Sequence, residues 1–412
     1  MPERKRLVIL GSGFAAFMLL KKIDLRHYDV VVVSPRNHFL FTPLLPSTTV
    51  GTVEFRSIAE PIRKTRSGDE FIQGTCTAID TENHRITCQS IDPNVGFTLE
   101  YQILVIAVGA WNNTFGIPGV REHSYFLKEL SDARVIRERI VSCLERADIP
   151  GIDEEERRRL LNFVVVGGGP TGVEFAAELH DLLEEDLDRS YPQLRGKVKI
   201  TLIEAAKTIL NSFDEDLQDY TAEHFARQGI ELRLGTPVEE VGDGYLKLKG
   251  GEIIRTGLIV WSTGNIATGL ITSLPFEKDR AGRILTNDHL QVGSHPEIFA
   301  LGDCATVAGG NLPQTAQLAM QAGKYVAELL NREARGKSIK PFAFNNLGML
   351  AYVGDSKALA DIPKAKIHWR GIITYIFWRS AYLTRLVSMK NKVLVLFDWI
   401  KTAIFGRDLS KF

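Results

Sequence analysis

Two short glycine runs, each set between an apolar strand and a helix, constrain this chain more than any other feature. Leu7-Val8-Ile9-Leu10 leads into Gly11-Ser12-Gly13-Phe14-Ala15-Ala16, and Val30-Val31-Val32-Val33 follows as a second apolar run. The same order returns at Phe163-Val164-Val165-Val166, Gly167-Gly168-Gly169-Pro170-Thr171-Gly172 and Ile200-Thr201-Leu202-Ile203-Glu204. Apolar runs without alternation are strands buried on both faces, the kind found in parallel sheets covered by helices. In Gly-x-Gly-x-x-Gly/Ala the first glycine makes the turn and the second lets backbone approach a pyrophosphate. The small third residue, Ala16 in one unit and Gly172 in the other, packs helix on strand. The two units start about 155 residues apart, too long a period for a solenoid. The chain therefore reads as α/β, with two Rossmann-like dinucleotide-binding domains in an FAD/NAD(P)-linked reductase architecture.

Each unit closes on a strand that ends in glycine, Tyr101 to Gly109 and Gly257 to Gly264. The chain then returns at Ile298-Phe299-Ala300-Leu301-Gly302-Asp303, a strand that delivers a carboxylate to the sheet edge where ligands of such folds bind. A helix is predicted from about Gln314 to Arg335, followed by the polar junction Gly336 to Pro341. The expected division is 1–119 with 266–335 as one discontinuous domain, 120–265 as the second, and 336–412 as a C-terminal membrane-docking segment. The second strand of the second unit ends in Glu204, the acid that bonds ribose hydroxyls and repels a 2′-phosphate, which favours NADH over NADPH. Ser34 stands at that place in the first unit, with Pro35 and Arg36 behind it. The polar stretch Glu184 to Lys197 reads as an insertion between helix and strand. Glu174 is either a first-turn acid serving the helix dipole or a group of the site.

At 412 residues and 44% hydrophobic content the chain has the size for two to three domains. Fifty Lys+Arg balance fifty Asp+Glu, which gives no basic field for nucleic acid. The balance is uneven along the chain: residues 364–412 hold ten Lys+Arg against two Asp. Four cysteines without close spacing make neither a disulfide framework nor a redox pair, and no His/Cys/Asp/Glu spacing marks a metal site. The N-terminus lacks the apolar core of a secretory signal. No run reaches the roughly 18 apolar residues of a membrane-crossing helix. In the tail, Val393, Leu396, Phe397, Ile400, Ala403 and Ile404 fall at helical spacing, flanked by Lys392, Lys401 and Arg407, with Trp399 as an interfacial aromatic. Ile372 to Trp378 adds a second apolar segment with Arg379 and Arg385. Either two core or dimer-interface helices or a surface lying on anionic lipid fits this pattern, and the clustered cations favour lipid.

Several stretches carry a specific resemblance: Ser34 to Pro46 (SPRNHFLFTPLLP), Gly167 to Glu174 (GGGPTGVE), Leu301 to Ala305 (LGDCA), Ala316 to Gln321 (AQLAMQ), Phe344 to Gly354 and Phe397 to Lys401 (FDWIK). Together they resemble type II NADH dehydrogenases, the single-subunit, non-proton-pumping NADH:quinone oxidoreductases, in their mitochondrial-like branch. The resemblance implies a tightly but non-covalently bound FAD on Gly11, Gly13, Thr42, Pro43 and Asp303; Ala16, Ser34 and Gly109 join these candidates from the pattern of the first unit itself. It implies NADH on Gly167, Gly169, Gly172 and Glu204, with Glu174 near the nicotinamide and Gly264 between the cofactors. Gln317 and Gln321 are placed by it at the flavin end of a quinone tunnel.

The function expected is transfer of a hydride from NADH to FAD, then of two electrons to a membrane quinone. The partners expected are that quinone, an anionic lipid surface and a second copy of the chain in a homodimer. The enzyme would be a peripheral membrane protein on the cytoplasmic face of a bacterial inner membrane or on the mitochondrial inner membrane. Alternatives are another flavin-dependent NAD(P)H reductase and a membrane-docked FAD-containing redox sensor.

Overall fold

The computed structural model describes residues 4–65, 68–310, 312–362 and 367–410. Three cations of the basic tail, Lys364, Lys366 and Lys411, lie outside the described residues. The chain divides into two compact units: Met1–Leu40 with Ala59–Trp111 and Asn265–Asn346, and Phe41–Ile58 with Asn112–Gly264 and Leu347–Phe412.

The first unit is built on a ten-stranded sheet. Its centre is parallel: Lys5–Leu10 lies between Tyr28–Ser34 and Ile103–Ile106, and Ile103–Ile106 pairs in turn with His295–Ala300. Fully buried Val, Ile and Leu fill these strands, because β-branched side chains suit a pleated surface covered on both faces. Strand order reverses at Lys5–Leu10, which puts Gly11 at a topological switch point where ligands of doubly wound sheets bind. Toward one edge the sheet continues as the antiparallel ribbon Glu70–Asp80, Arg85–Ser90 and Gly96–Glu100. That ribbon makes Cys76 and Cys88 direct cross-strand partners, a pair that sequence spacing does not reveal.

The second unit repeats the plan on five parallel strands, with Asn162–Val166 between Lys199–Ile203 and Leu258–Trp261. The helix after its glycine turn runs Pro170–Glu185, and the expected insertion is a pair of short helical turns, Leu187–Ser190 and Pro192–Leu194. Residues 347–412 belong to this unit: the antiparallel strands Met349–Gly354, Lys357–Ile362 and Ile367–Gly371 precede the helices Ile372–Arg385 and Met389–Phe405.

Against the expected division, residues 336–346 stay with the first unit and 112–119 join the second, and so does the stretch 41–58. Polar contacts account for the last of these. Ser47 and Thr52 donate to the two oxygens of Glu178 at 2.5 and 2.8 Å. Asp398 accepts from the Ser57 hydroxyl at 2.6 Å and from the Glu54 N–H at 3.0 Å. Lys401 pairs with Glu54, and the Asn391 amide donates to the Ser57 carbonyl. The C-terminal helices are thus tied into the second unit rather than forming a separate segment.

Candidate functional site

Both glycine turns have the geometry of a nucleotide cradle. Gly11 and Gly167 adopt φ of +113° and +117°, and a Cβ on Gly11 would lie 2.3 Å from the Ala107 carbonyl oxygen. At Gly13 and Gly169 a Cβ would meet nothing within 4 Å, so space stands open where a pyrophosphate approaches backbone. The helices Phe14–Lys22 and Pro170–Glu185 begin at these glycines with no side-chain cap. Elsewhere in the chain Asp153, Asp214, Thr268, Thr315 and Ser388 cap their helices. Uncapped first-turn N–H groups under a helix dipole form an anion site, so the residues present fit a dinucleotide in each unit.

The two cradles differ beside the turn. Glu204 accepts from the Gly168 N–H at 2.6 Å and from the Ala206 N–H at 2.8 Å, which pins a carboxylate at the end of the second strand. In the first unit the Ser34 hydroxyl donates to Ser12 at 3.0 Å and accepts from the Arg36 N–H at 3.2 Å. The Arg36 guanidinium reaches both the Ser12 hydroxyl and the His38 carbonyl. A hydroxyl pair and a cation thus replace the carboxylate.

Of the other expected residues, Gly109 is open with φ +70°, and Asp303 sits half-buried in the turn Gly302–Cys304, its carbonyl held by the Gln314 amide. Thr42 and Pro43 form the half-buried turn Thr42–Leu44 of the second unit. Gly264 packs close to Asn113 and Phe115, where a Cβ would come within 2.8 Å of both. Gln317 and Gln321 share the helix Ala316–Glu333, and Gln321 is engaged on both amide atoms by the Asn345 backbone at 2.9 Å. Gln321 therefore also tethers the segment around Asn345 to the helix.

Glu174 does not face solvent as a dipole-serving acid. It is 6% exposed, and its carboxylate accepts the Tyr352 N–H at 3.1 Å. Burial pushes its pKa up to about 8, the Tyr352 N–H opposing and nearby Glu178 adding to the rise. Glu178, one helical turn on, is also buried and raised by burial, with Arg407 and the Ser47 and Thr52 hydroxyls holding it down. Arg407 is buried and pairs with Glu185 and Asp186 at 2.7 and 2.9 Å. The i, i+4 spacing of Glu174 and Glu178 was the one signal for this network in the sequence. Its partners come from positions far away.

Two expectations for the tail need correction. Trp399 is not an interfacial aromatic: it is 4% exposed, packed on Trp378 with the Arg379 guanidinium 4.7 Å from its ring. Arg407 and Lys401 are paired within the unit and do not form part of a free cationic surface. The apolar stripe, by contrast, is open. Ile372, Ile373 (79% exposed), Ile376 and Phe377 on one helix, and Val393, Leu396, Phe397 (60%), Ile400 and Ile404 on the other, all lie at the surface. Among the described residues no helix is long and apolar enough to cross a membrane.

Residues 5–323 match the family model of pyridine nucleotide-disulphide oxidoreductases, and residues 346–408 match the NDH2 C-terminal domain. The chain is 47% identical to a probable NADH dehydrogenase of Dictyostelium discoideum, over 100% of this chain and 92% of that protein. It is 42% identical to an internal alternative NAD(P)H-ubiquinone oxidoreductase A1, mitochondrial, of Solanum tuberosum, over 99% of this chain and 88% of the relative. The solved structure of NDH2 from Plasmodium falciparum in complex with NADH superposes with a TM-score of 0.93 at 28% identity, covering 99% of this chain and 100% of that one.

Proposed function

Because the chain belongs to the pyridine nucleotide-disulphide oxidoreductase family, in the branch that carries the NDH2 C-terminal domain, we propose on that premise how its residues divide the work of an NADH:quinone oxidoreductase. The enzyme passes electrons from NADH through a flavin to a quinone without pumping protons. The observation that carries this reading is the pair of open, uncapped glycine turns, one on each unit: one nucleotide stays bound and the other exchanges.

A bound flavin supplies a two-electron acceptor for the hydride of NADH and a donor to quinone. The flavin we assign is FAD, held non-covalently by the first unit. Gly11, Gly13 and the first turn of Phe14–Lys22 hold its pyrophosphate, Ser34 and Arg36 its ribose, and Asp303 its ribityl chain. Gly167, Gly169, Gly172 and Glu204 hold NADH, and Glu204 disfavours a 2′-phosphate. Glu174, with a pKa of about 8, carries a proton at neutral pH, and we assign it to the nicotinamide side. Gln317 and Gln321 are assigned to the quinone side. We place the open apolar faces of Ile372–Arg385 and Met389–Phe405 on an anionic lipid surface, since contiguous apolar patches of this kind mark interaction sites. The mitochondrial inner membrane or the cytoplasmic face of a bacterial one, and a homodimer, complete the proposal; several relatives carry mitochondrial names.

Anaerobic absorption spectroscopy tests the chemistry. Flavin bands are expected in the purified protein, bleaching with NADH and returning with quinone. A spectrum without flavin bands, or bands that NADH leaves unchanged, would overturn the reading. For docking, Phe397→Glu/Ile400→Glu is expected to lose most co-sedimentation with anionic liposomes while NADH still reduces its flavin. Sedimentation equal to the parent's would assign that face to a protein interface.

A further inference from the structure

The hairpin Met349–Gly354 to Lys357–Ile362 turns at Asp355 and Ser356, directly above two helices that each offer a histidine. One ligand atom from each of His180, Asp181 and Asp355 lies within 4.8 Å of the others. His224, on the helix Glu215–Arg227, brings its Nε2 to 3.7 Å from the Asp355 carboxylate. That imidazole is 3% exposed, and its Nε2 has no hydrogen-bond partner among the described residues. A buried ring nitrogen without a partner costs free energy that a native fold ordinarily avoids. Here it is aimed at the Asp355 carboxylate, itself within reach of His180 and Asp181. We infer that His180, Asp181, Asp355 and His224 form a binding site for a divalent transition-metal cation of the zinc type.

One imidazole and two carboxylates converge, and His224 reaches the Asp355 carboxylate as a second imidazole; nitrogen joined to carboxylate ligands suits zinc, whereas magnesium and calcium require oxygen ligands throughout. Burial, with the Lys357 ammonium, holds the His224 pKa below the usual imidazole range. At His180 burial lowers the pKa but the Asp181 carboxylate raises it overall. Outer contacts orient the ligands. Asp181 accepts the Asp355 N–H at 3.0 Å and the Tyr352 hydroxyl at 2.5 Å. The Gln228 amide lies 3.4 Å from the His180 Nδ1. His180 also stands on the wall of a cleft of about 190 Å³, with Glu184, Arg195 and Gln228. The competing charge is Lys357, whose Nζ is 3.6 Å from Asp355; it is a partly exposed ammonium on a flexible stem, free to swing into water. The cation would staple the hairpin to the helix Pro170–Glu185, and the same hairpin supplies the Tyr352 N–H to Glu174. The site is independent of the electron-transfer reading.

The test uses the full-length flavoprotein, stripped with chelator, titrated calorimetrically with Zn²⁺ and analysed for bound metal. One equivalent per chain is expected, with a higher Tm at saturating Zn²⁺ and no matching response to Mg²⁺. His224→Gln and Asp355→Asn are each expected to weaken binding at least about tenfold. Lys357→Gln, at a partly exposed position, is expected to tighten it by about threefold or more as the competing charge leaves. Absence of an equivalent of tightly bound Zn²⁺, or equal affinity in His224→Gln and Asp355→Asn, overturns the site. Should either of those variants fail to fold, unchanged or weaker binding by Lys357→Gln overturns it instead.

Discussion

The first and second glycine turns share their backbone plan, yet the side chains around them have diverged, and three pairs of positions carry the contrast. Ala16 in one is Gly172 in the other, Ser34 is Glu204, and Met18 is Glu174. The backbone solves one problem, bringing uncapped N–H groups to a pyrophosphate, and it does so the same way twice. The side chains solve different ones. The first unit surrounds its turn with hydroxyls and a cation, which suits a nucleotide that stays. In the second a pinned carboxylate sits beside the turn and a buried acid within the helix, which suits a nucleotide that must be selected, react and leave.

Glu174 offers the sharpest way to test that contrast. Its folded pKa of about 8 is raised from 4.5, so the folded state holds a proton that the unfolded chain releases. The stabilisation is complete below pH 4.5 and is lost as pH rises to about 8, by on the order of 5 kcal/mol at most. Glu174→Gln keeps an oxygen for the Tyr352 N–H and cannot ionise. Its stability relative to the parent is expected to climb between those pH values and then level off, measured by denaturant unfolding across pH. A flat difference would show that Glu174 is not buried as an acid.

Next in size is Gly172→Ala, which copies Ala16. A Cβ at Gly172 would lie 2.0 Å from the Gly167 carbonyl oxygen, so the turn must open at a cost of about 1–3 kcal/mol. A lower Tm and weaker NADH binding with flavin content retained are expected. Equal NADH affinity would mean the two turns tolerate the same residues after all. Glu204→Ser, copying Ser34, is expected to reduce the preference for NADH over NADPH in kcat/KM by about tenfold or more, as loss of one charged hydrogen-bond acceptor is worth roughly 1.5–3 kcal/mol. An unchanged ratio removes Glu204 from nicotinamide selection. The smallest effect belongs to Arg36→Gln, which leaves Ser34 and Ser12 bonded to one another. A change in flavin retention of about 1 kcal/mol or less is expected by equilibrium dialysis.

Legibility followed sequence distance. The turns, their flanking strands, Glu204 and the helix Ala316–Glu333 could be read because each is a local pattern: an apolar run, glycines at fixed offsets, a strand end, a 3.6-residue period. The tail stripe was legible for the same reason, and its residues do lie open at the surface. Trp399 was misread because a sequence cannot say on which side of an amphipathic helix an aromatic finds its partner. Trp378 and Arg379, some 20 positions upstream, cover it.

What the sequence determined by itself is the chain's plan: two nucleotide-binding βαβ units and an amphipathic C-terminus, each encoded within a few consecutive turns of backbone. Tertiary structure alone decided which ionisable groups leave water. Glu174 meets Tyr352, Glu178 meets Ser47 and Thr52, and Asp398 meets Ser57, across separations of 126 to 341 positions. The zinc-type cluster draws on positions 180, 181 and 355, with 224 facing 355, a spacing with no motif. Burial and long-range pairing set those protonation states, and both depend on which distant segments the fold brings against a helix, a quantity no local pattern contains.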